Sequence, residues 1–172
     1  MADKKILINA RTIERRVMEI GREIGRDYAG RQLVLLGILN GAFIFMADLA
    51  RAIDIELEID FIRVASYGNA TSSSGTIRMS KEPELDLAGK DVVLVEDIVD
   101  TGTTIAWLRD YFASHDAASV RICALIDKKE RRQSEVEVHY RGFTVEGGFL
   151  VGYGLDYAEK YRNLPDICTL SP

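Results

Sequence analysis

The stretch VVLVEDIVDTGTTIAWL, from Val92 to Leu108, decides the fold. Apolar residues typical of a buried strand run directly into the carboxylates of Glu96, Asp97 and Asp100, and a Thr-Gly-Thr-Thr turn then leads into a helical pattern. A buried carboxylate without a partner costs several kcal/mol. The sequence therefore predicts water, a cation or a donor-rich ligand at the end of this strand.

The turn from Thr101 to Thr104 has the chemistry of a phosphate site. At the start of a helix it offers free backbone N–H groups and hydroxyl donors, and Gly102 lets the backbone approach a ligand closely. Neither a Walker A pattern nor GxGxxG is present. An ordinary helix cap is the alternative. The adjacent carboxylates favour a phosphate ligand that also carries hydroxyls or a divalent cation, and a ribose phosphate with Mg²⁺ offers both.

Length and composition predict a single domain spanning residues 1–172. The chain is 47% hydrophobic and 28% charged, enough for one well-packed core. Its net charge of −5 provides no basic footprint for nucleic acid. No stretch approaches the roughly 20 apolar residues of a membrane helix, so we expect no membrane partner and a cytoplasmic location. Cys123 and Cys168 lack metal-ligand spacing and are predicted to be small buried hydrophobes.

Alternating patterns predict an α/β fold with a mainly parallel central sheet flanked by helices. Apolar residues recur at helical spacing from Ile13 to Ile24, and LVLLGIL from Leu33 to Leu39 is typical of a buried strand, with a helical pattern after it. Other strands are predicted at 55–66, 92–97, 119–126, around 136–145 and at 148–151, with a helix near 103–112. Ligands of such sheets bind beyond the carboxyl ends of the strands.

The run EDIVDTGTT from Glu96 to Thr104, preceded by VVLV, resembles the phosphoribosyl-diphosphate motif of the type I phosphoribosyltransferases. Its form is typical of the hypoxanthine-guanine members. Three further segments match the family and occur along the chain in the family's order: Leu39-Asn40-Gly41, the run ALIDK ending at Lys128, and FLVGYGLDY from Phe149, continuing to YRNLP. The resemblance implies this family's fold, with a small hood formed by the chain ends.

The same resemblance implies purine salvage. Hypoxanthine or guanine would react with 5-phosphoribosyl 1-diphosphate to form IMP or GMP and diphosphate, with Mg²⁺ as cofactor. Family members usually form symmetric homodimers or homotetramers. Two alternatives stay open: a xanthine-preferring relative, and a regulator that senses nucleotide without turnover. Asp100, Lys128 and Asp156 together argue against the sensor, since a sensor needs no base at N7 of the purine.

Asp100 would be the general acid/base at purine N7 in such an enzyme, with helix capping as its alternative role. Glu96 and Asp97 would hold the ribose hydroxyls and help to place Mg²⁺. The turn after Asp100 would surround the 5′-phosphate. The residues implied for ribose and phosphate are Glu96, Asp97, Asp100, Thr101, Gly102, Thr103 and Thr104.

The purine-binding residues implied by the resemblance follow later strands. Lys128 would donate to the 6-oxo group, and neighbouring Lys129 is a rival for that role. Phe149 would stack on the purine, and the backbone of Leu150 would meet the base edge. Asp156 belongs to the same set and would coordinate a second Mg²⁺, so the implied metal ligands are Glu96, Asp97 and Asp156.

The diphosphate loop is implied at Leu39, Asn40 and Gly41, where the family usually has a non-proline cis peptide. Many relatives have lysine where this chain has Asn40, so a backbone contact is expected there rather than a charged one. Arg162 would reach the diphosphate through its guanidinium fork.

A mobile lid is implied for the polar segment 66–78. Ser66 and Tyr67 would fold over the reaction centre and exclude water. The composition of this segment fits an inert loop equally well.

Overall fold

A computed structural model describes residues 3–67 and 76–171. The elements in those ranges are β1 (Asp3–Ile8), α1 (Ala10–Asp27), β2 (Leu33–Leu39), α2 (Phe43–Ala52), β3 (Leu57–Tyr67), β4 (Thr76–Lys81), β5 (Asp91–Val99), α3 (Thr103–Ala113), β6 (Ser119–Lys128), β7 (Tyr140–Val145), β8 (Phe149–Val151) and β9 (Ile167–Ser171). This alternation confirms the predicted α/β class.

The central sheet has the strand order β4-β3-β2-β5-β6-β7. Its strands pair in parallel except β4, which runs antiparallel to β3. β2 and β5 occupy the middle of the sheet, so their apolar runs are buried on both faces by helices. Because parallel strands end at one edge, the residues after β2, β5 and β6 meet there.

Helices cover the two faces of the central sheet. α1 buries one stripe against it, because its apolar residues recur every three or four positions. α1 and α2 pack on one face, and α3 packs on the other. The buried residues of α1 are Ile13, Val17, Ile20, Gly21 and Ile24. No helix among the described residues is long and apolar enough to cross a membrane.

The two chain ends form a second, three-stranded sheet in the order β1-β9-β8. β9 pairs antiparallel with both neighbours, and the side chain of Asp166 accepts a 2.7 Å hydrogen bond from the Ala10 N–H. This sheet is the hood that the resemblance implies. Strands β1 and β9 were not predicted individually, because each is short and its pairing partner is at the opposite end of the chain.

Two other differences concern the polar regions. The segment after β3 was predicted as a long loop or a loose hairpin, and β4 pairing with β3 shows that it is a hairpin. β7 begins at Tyr140 rather than near residue 136, because the preceding chain turns onto the Thr101 loop, where the N–H groups of Gln133 and Ser134 bind the Thr101 carbonyl.

Candidate active site

A cavity of about 330 Å³ opens where β2 and β5 end. It gathers predicted residues from three separate segments of the chain. The predicted residues in its lining are Leu39, Gly41, Glu96, Asp97, Asp100, Thr101, Gly102, Thr104, Asp156 and Arg162. Of the other predicted residues that the structure describes, Asn40, Thr103, Lys128, Phe149 and Leu150 do not line this cavity.

A larger cavity of about 720 Å³ lies along α1, near the end of α2. Its lining combines small residues with charged side chains of both signs, such as Glu23 and Arg26. The smaller cavity is the better candidate, because it combines converging carboxylates, an arginine and a helix N-terminus at the carboxyl edge of the sheet.

The turn before α3 presents an open helix N-terminus. Gly102 occupies the N-cap position with φ of 81° and provides no capping side chain, while Thr103 N–H makes only a long, 3.4 Å hydrogen bond to Thr101 Oγ1. A Cβ at Gly102 would also lie 2.9 Å from the Ser134 carbonyl oxygen. The first N–H groups of α3 thus remain available to an anion, and the capping alternative is not what this turn adopts.

Glu96 and Asp97 form a carboxylate pair near the end of β5. Burial raises the pKa of Glu96 well above its usual value, and the charge of Asp97 adds to the shift. Burial also raises the pKa of Asp97, although the Ile98 N–H donates to Asp97 Oδ1 at 2.7 Å. Gly41 packs against this pair, since a Cβ there would collide with the Asp97 carboxylate.

The carboxylates are not assembled into a complete metal cage. Within residues 3–67 and 76–171, no three or more His, Cys, Asp or Glu side chains are grouped so that they could hold a metal ion. Mg²⁺ is typically bound by one or two carboxylates together with water and substrate phosphates. The paired, half-buried carboxylates of Glu96 and Asp97 fit that type of site.

The Asp100 carboxylate has one oxygen engaged and one without a partner. Oδ2 lies 3.3 Å from Arg131 Nη1, whereas Oδ1 is buried and has no hydrogen-bond partner within the described part of the chain. Asp100 does not cap α3. A buried acceptor beside a cavity is the arrangement that a ligand N–H would satisfy.

Arg162 connects Gly154 and Asp156, two residues of the loop that follows β8. Its Nη1 donates to the Gly154 carbonyl at 2.8 Å, and its Nη2 lies 3.1 Å from Asp156 Oδ1. Gly154 has φ of 101°, and a Cβ there would collide with the Gly41 carbonyl. The loop that carries Asp156 and Arg162 is therefore packed directly on the 39–41 loop.

The two adjacent lysines have different environments. Lys129 Nζ lies 2.8 Å from the carboxylate of Asp127, which is 0% exposed. Lys128 is buried, and its Nζ is 3.5 Å from Glu130 Oε2. Because Lys129 neutralises a buried carboxylate, Lys128 is the better candidate for ligand recognition.

Phe149 is an exposed aromatic ring rather than a core residue. It is 50% exposed and meets Tyr157 edge to face, with 5.3 Å between ring centroids. Leu150, the next residue, is buried. An exposed ring on the hood strand β8 can stack on a planar ligand. Tyr157 was not singled out from the sequence.

The 39–41 loop has a cis peptide between Leu39 and Asn40. Asn40 Oδ1 accepts a 2.6 Å hydrogen bond from Arg63 Nη2. The sequence analysis did not identify Arg63, because only the parallel register of β2 and β3 brings it beside Leu39.

The predicted lid is only partly covered by the structure. Residues 68–75 lie outside the described ranges, as do the side chains of Ser66 and Tyr67 at the end of β3. The lid role stays a prediction.

Comparison with known proteins gives consistent matches. The family model described as "Phosphoribosyl transferase domain" matches residues 4–158. The hypoxanthine-guanine phosphoribosyltransferase of Mycobacterium avium is 44% identical, over 98% of this chain and 86% of its own. That of Streptococcus pneumoniae is 46% identical, over 97% and 93%. A crystal structure of a hypoxanthine phosphoribosyltransferase from Staphylococcus aureus superposes with a TM-score of 0.94 at 41% identity, covering 98% of this chain and 91% of that one.

The raised pKa of Glu96 predicts a pH-dependent stability cost. The usual value is 4.5. Because the pKa is raised in the folded state, the group favours folding below the unfolded pKa and loses that contribution as pH rises through the folded pKa. Without metal, Glu96→Gln should raise the thermal midpoint, and its advantage over the wild type should grow from about pH 5 to about pH 8.

Differential scanning calorimetry measures this effect, with Glu56→Gln as the control because Glu56 is an exposed glutamate. An advantage of Glu96→Gln that shrinks as pH rises would contradict the assignment.

Proposed function

The chain belongs to the phosphoribosyltransferase family, among the hypoxanthine-guanine phosphoribosyltransferases of purine salvage, and from that premise we propose how its residues act. The substrates are hypoxanthine or guanine and 5-phosphoribosyl 1-diphosphate, and the products are IMP or GMP and diphosphate. One observation carries the proposal: the open N-terminus of α3 lines the same cavity as the half-buried carboxylates near the end of β5. Few ligands other than a phosphorylated sugar match both groups.

The 5′-phosphate binds in the turn from Thr101 to Thr104, where backbone N–H groups and the α3 dipole stabilise negative charge. Glu96 and Asp97 accept hydrogen bonds from the ribose hydroxyls. Gly102 has no Cβ, so the phosphate oxygens can approach the backbone closely.

Asp100 acts as the general acid/base at N7. In the forward direction, purine N9 forms a bond to C1 of the ribose while the bond from C1 to the diphosphate oxygen breaks. The proton on N7 passes to Asp100, and the leaving electron pair stays on the diphosphate. The partnerless Oδ1 supports this role, because it is an acceptor that awaits a donor.

Mg²⁺ is the proposed cofactor, held by Glu96, Asp97 and Asp156 together with substrate oxygens. When bound, it neutralises charge on the diphosphate. The backbone of residues 39–41 and the Arg162 guanidinium bind the diphosphate itself, and the direct packing of these two loops supports a shared site.

The purine lies on Phe149, with its edge against the backbone of Leu150 and its 6-oxo group toward Lys128. A lysine ammonium donates only, so it favours a 6-oxo group over the 6-amino group of adenine. Segment 66–78 is the proposed lid over this centre, and a cytoplasmic location stays a prediction.

The function is tested by assaying the purified protein with 5-phosphoribosyl 1-diphosphate and Mg²⁺ against hypoxanthine, guanine, xanthine and adenine separately. We expect turnover of hypoxanthine and guanine but not adenine. Asp100→Asn keeps the shape of the side chain but removes the base, and kcat should fall by about 10²- to 10⁴-fold.

Other outcomes of this assay separate the alternatives. Xanthine as the preferred substrate would identify the xanthine-preferring relative. Binding of 5-phosphoribosyl 1-diphosphate without turnover of any base would identify the sensor and contradict the proposed reaction.

Lys128→Met tests base recognition. The kcat/KM for hypoxanthine should fall by about 10- to 100-fold, because a hydrogen bond from a charged group contributes about 1.5 to 3 kcal/mol. The KM for 5-phosphoribosyl 1-diphosphate should change little. Lys90→Met is the control, since Lys90 is a partly buried lysine paired with Glu58 elsewhere in the sheet. An unchanged kcat/KM in Lys128→Met would remove this lysine from the site.

We also propose that the protein is a homodimer or homotetramer. The proposal rests on the family, whose members usually form such symmetric assemblies, and Met18, Phe43 and Ile59 are exposed apolar side chains that an interface could cover. Sedimentation velocity should give two or four times the chain mass of 19.2 kDa. A single species at the mass of one chain would contradict this proposal.

A further inference from the structure

Arg132 contacts two chain segments of the site at once. Its Nη2 lies 2.5 Å from Asp127 Oδ1 and donates to the Lys128 carbonyl at 3.0 Å. The same nitrogen lies 3.2 Å from the Val99 carbonyl, and Nε donates to the Asp100 carbonyl at 3.0 Å. One guanidinium thus joins the end of β6 to the end of β5.

The sheet register explains why these groups meet. β5 and β6 pair in parallel, and their ladder ends at the pair Val99 and Asp127. Beyond that pair β5 and β6 no longer pair with each other, and the Asp100 and Lys128 carbonyls accept hydrogen bonds from Arg132. The planar fork of Arg132 supplies several donors from one side chain, whereas a lysine ammonium has only a single nitrogen to place.

Asp127 holds Arg132 in this orientation. Burial alone would raise the pKa of Asp127, but hydrogen bonds from Lys129 and Arg132 lower it, so the carboxylate is ionised. Arg141 Nε lies 2.8 Å from Asp127 Oδ2, and Lys129 Nζ lies at the same distance. The Arg132 side chain is only 16% exposed. Its position is therefore determined by a buried anion rather than by solvent.

Backbone hydrogen bonds hold the phosphate turn, and the Arg132 side chain meets the turn at its Cδ, which would lie 3.1 Å from a Cβ at Gly102 and which glutamine and lysine also possess. The N–H groups of Gln133 and Ser134 donate to the Thr101 carbonyl at 2.8 and 3.1 Å, and Gly102 packs against the Ser134 carbonyl. These backbone contacts do not involve the guanidinium. Removing the guanidinium should therefore disturb Asp100 and Lys128 while leaving the phosphate turn in place.

We propose that Arg132 is a positioning residue that sets the spacing between Asp100 and Lys128. N7 and the 6-oxo group are neighbours on one edge of the purine, so the acid/base and the ammonium must match a fixed span. Arg132 binds the main chain of both residues and thereby fixes that span. The inference rests on the proposed function, because it assumes the roles given to Asp100 and Lys128.

The test compares Arg132→Gln and Arg132→Lys with the wild type. Both variants should lower kcat for hypoxanthine and guanine by about 100-fold, the loss that a displacement of about 1 Å can cause. Isothermal titration of 5-phosphoribosyl 1-diphosphate with Mg²⁺ should give a nearly unchanged Kd. Lysine keeps the charge beside Asp127 but not the fork, so it should restore the thermal midpoint without restoring kcat.

Arg121→Gln is the matched control. Arg121 is also a partly buried arginine associated with β6, but it pairs with Asp27 and Tyr140, remote from the Val99 end of the strand pair. This variant should lose stability without a selective loss of kcat.

The double variant Arg132→Gln with Asp100→Asn separates positioning from general damage. Because Arg132 acts in part through Asp100, Arg132→Gln should slow Asp100→Asn by a clearly smaller factor than it slows the wild type. Losses that multiply, or a wild-type kcat in Arg132→Gln, would overturn the inference. A wild-type protein that turns over neither base would instead overturn the proposed function, so the two failures are distinguishable.

Discussion

The carboxylate pair at the end of β5 is the constraint on which the site depends. Glu96 and Asp97 lie side by side and partly buried, and burial raises the pKa of each, with the Asp97 charge adding to the shift at Glu96. A cation and a hydroxylated ligand would stabilise both carboxylates. The open N-terminus of α3, a few residues later, favours an anion. A ligand that carries phosphate and hydroxyls and binds with a metal ion would match all of these groups.

Close backbone packing builds the rest of the site around that pair. At Gly41 a Cβ would strike Asp97, at Gly102 it would crowd Ser134, and at Gly154 it would strike the Gly41 carbonyl. These three glycines allow loops from distant parts of the chain to pack without intervening side chains. Arg162 donates to the Gly154 carbonyl and Arg132 donates to the Asp100 carbonyl. These side-chain hydrogen bonds connect the loops at the carboxyl edge of the sheet.

Local patterns were sufficient to predict the fold class and the residues near the end of β5 that line the cavity. The apolar part of the run from Val92 to Val99 is buried, as its composition predicts. The turn after it is short, so the role of each residue could be predicted from its side chain alone. Contacts that depend on strand register could not be predicted. Arg63 reaches Asn40, and Arg132 reaches Asp100, only because parallel neighbours align at the carboxyl edge. The hood strands were missed for the same reason, since β1 pairs with β9 across the whole chain.

The decisive experiment is a crystal structure with 5-phosphoribosyl 1-diphosphate, Mg²⁺ and an unreactive purine analogue. We expect the 5′-phosphate to accept hydrogen bonds from the backbone N–H groups of residues 101–104, with the ribose hydroxyls on Glu96 and Asp97. We also expect purine N7 to lie within hydrogen-bonding distance of the Asp100 carboxylate. A phosphate bound away from the N-terminus of α3, or a purine with N7 turned away from Asp100, would show that the proposed mechanism is wrong.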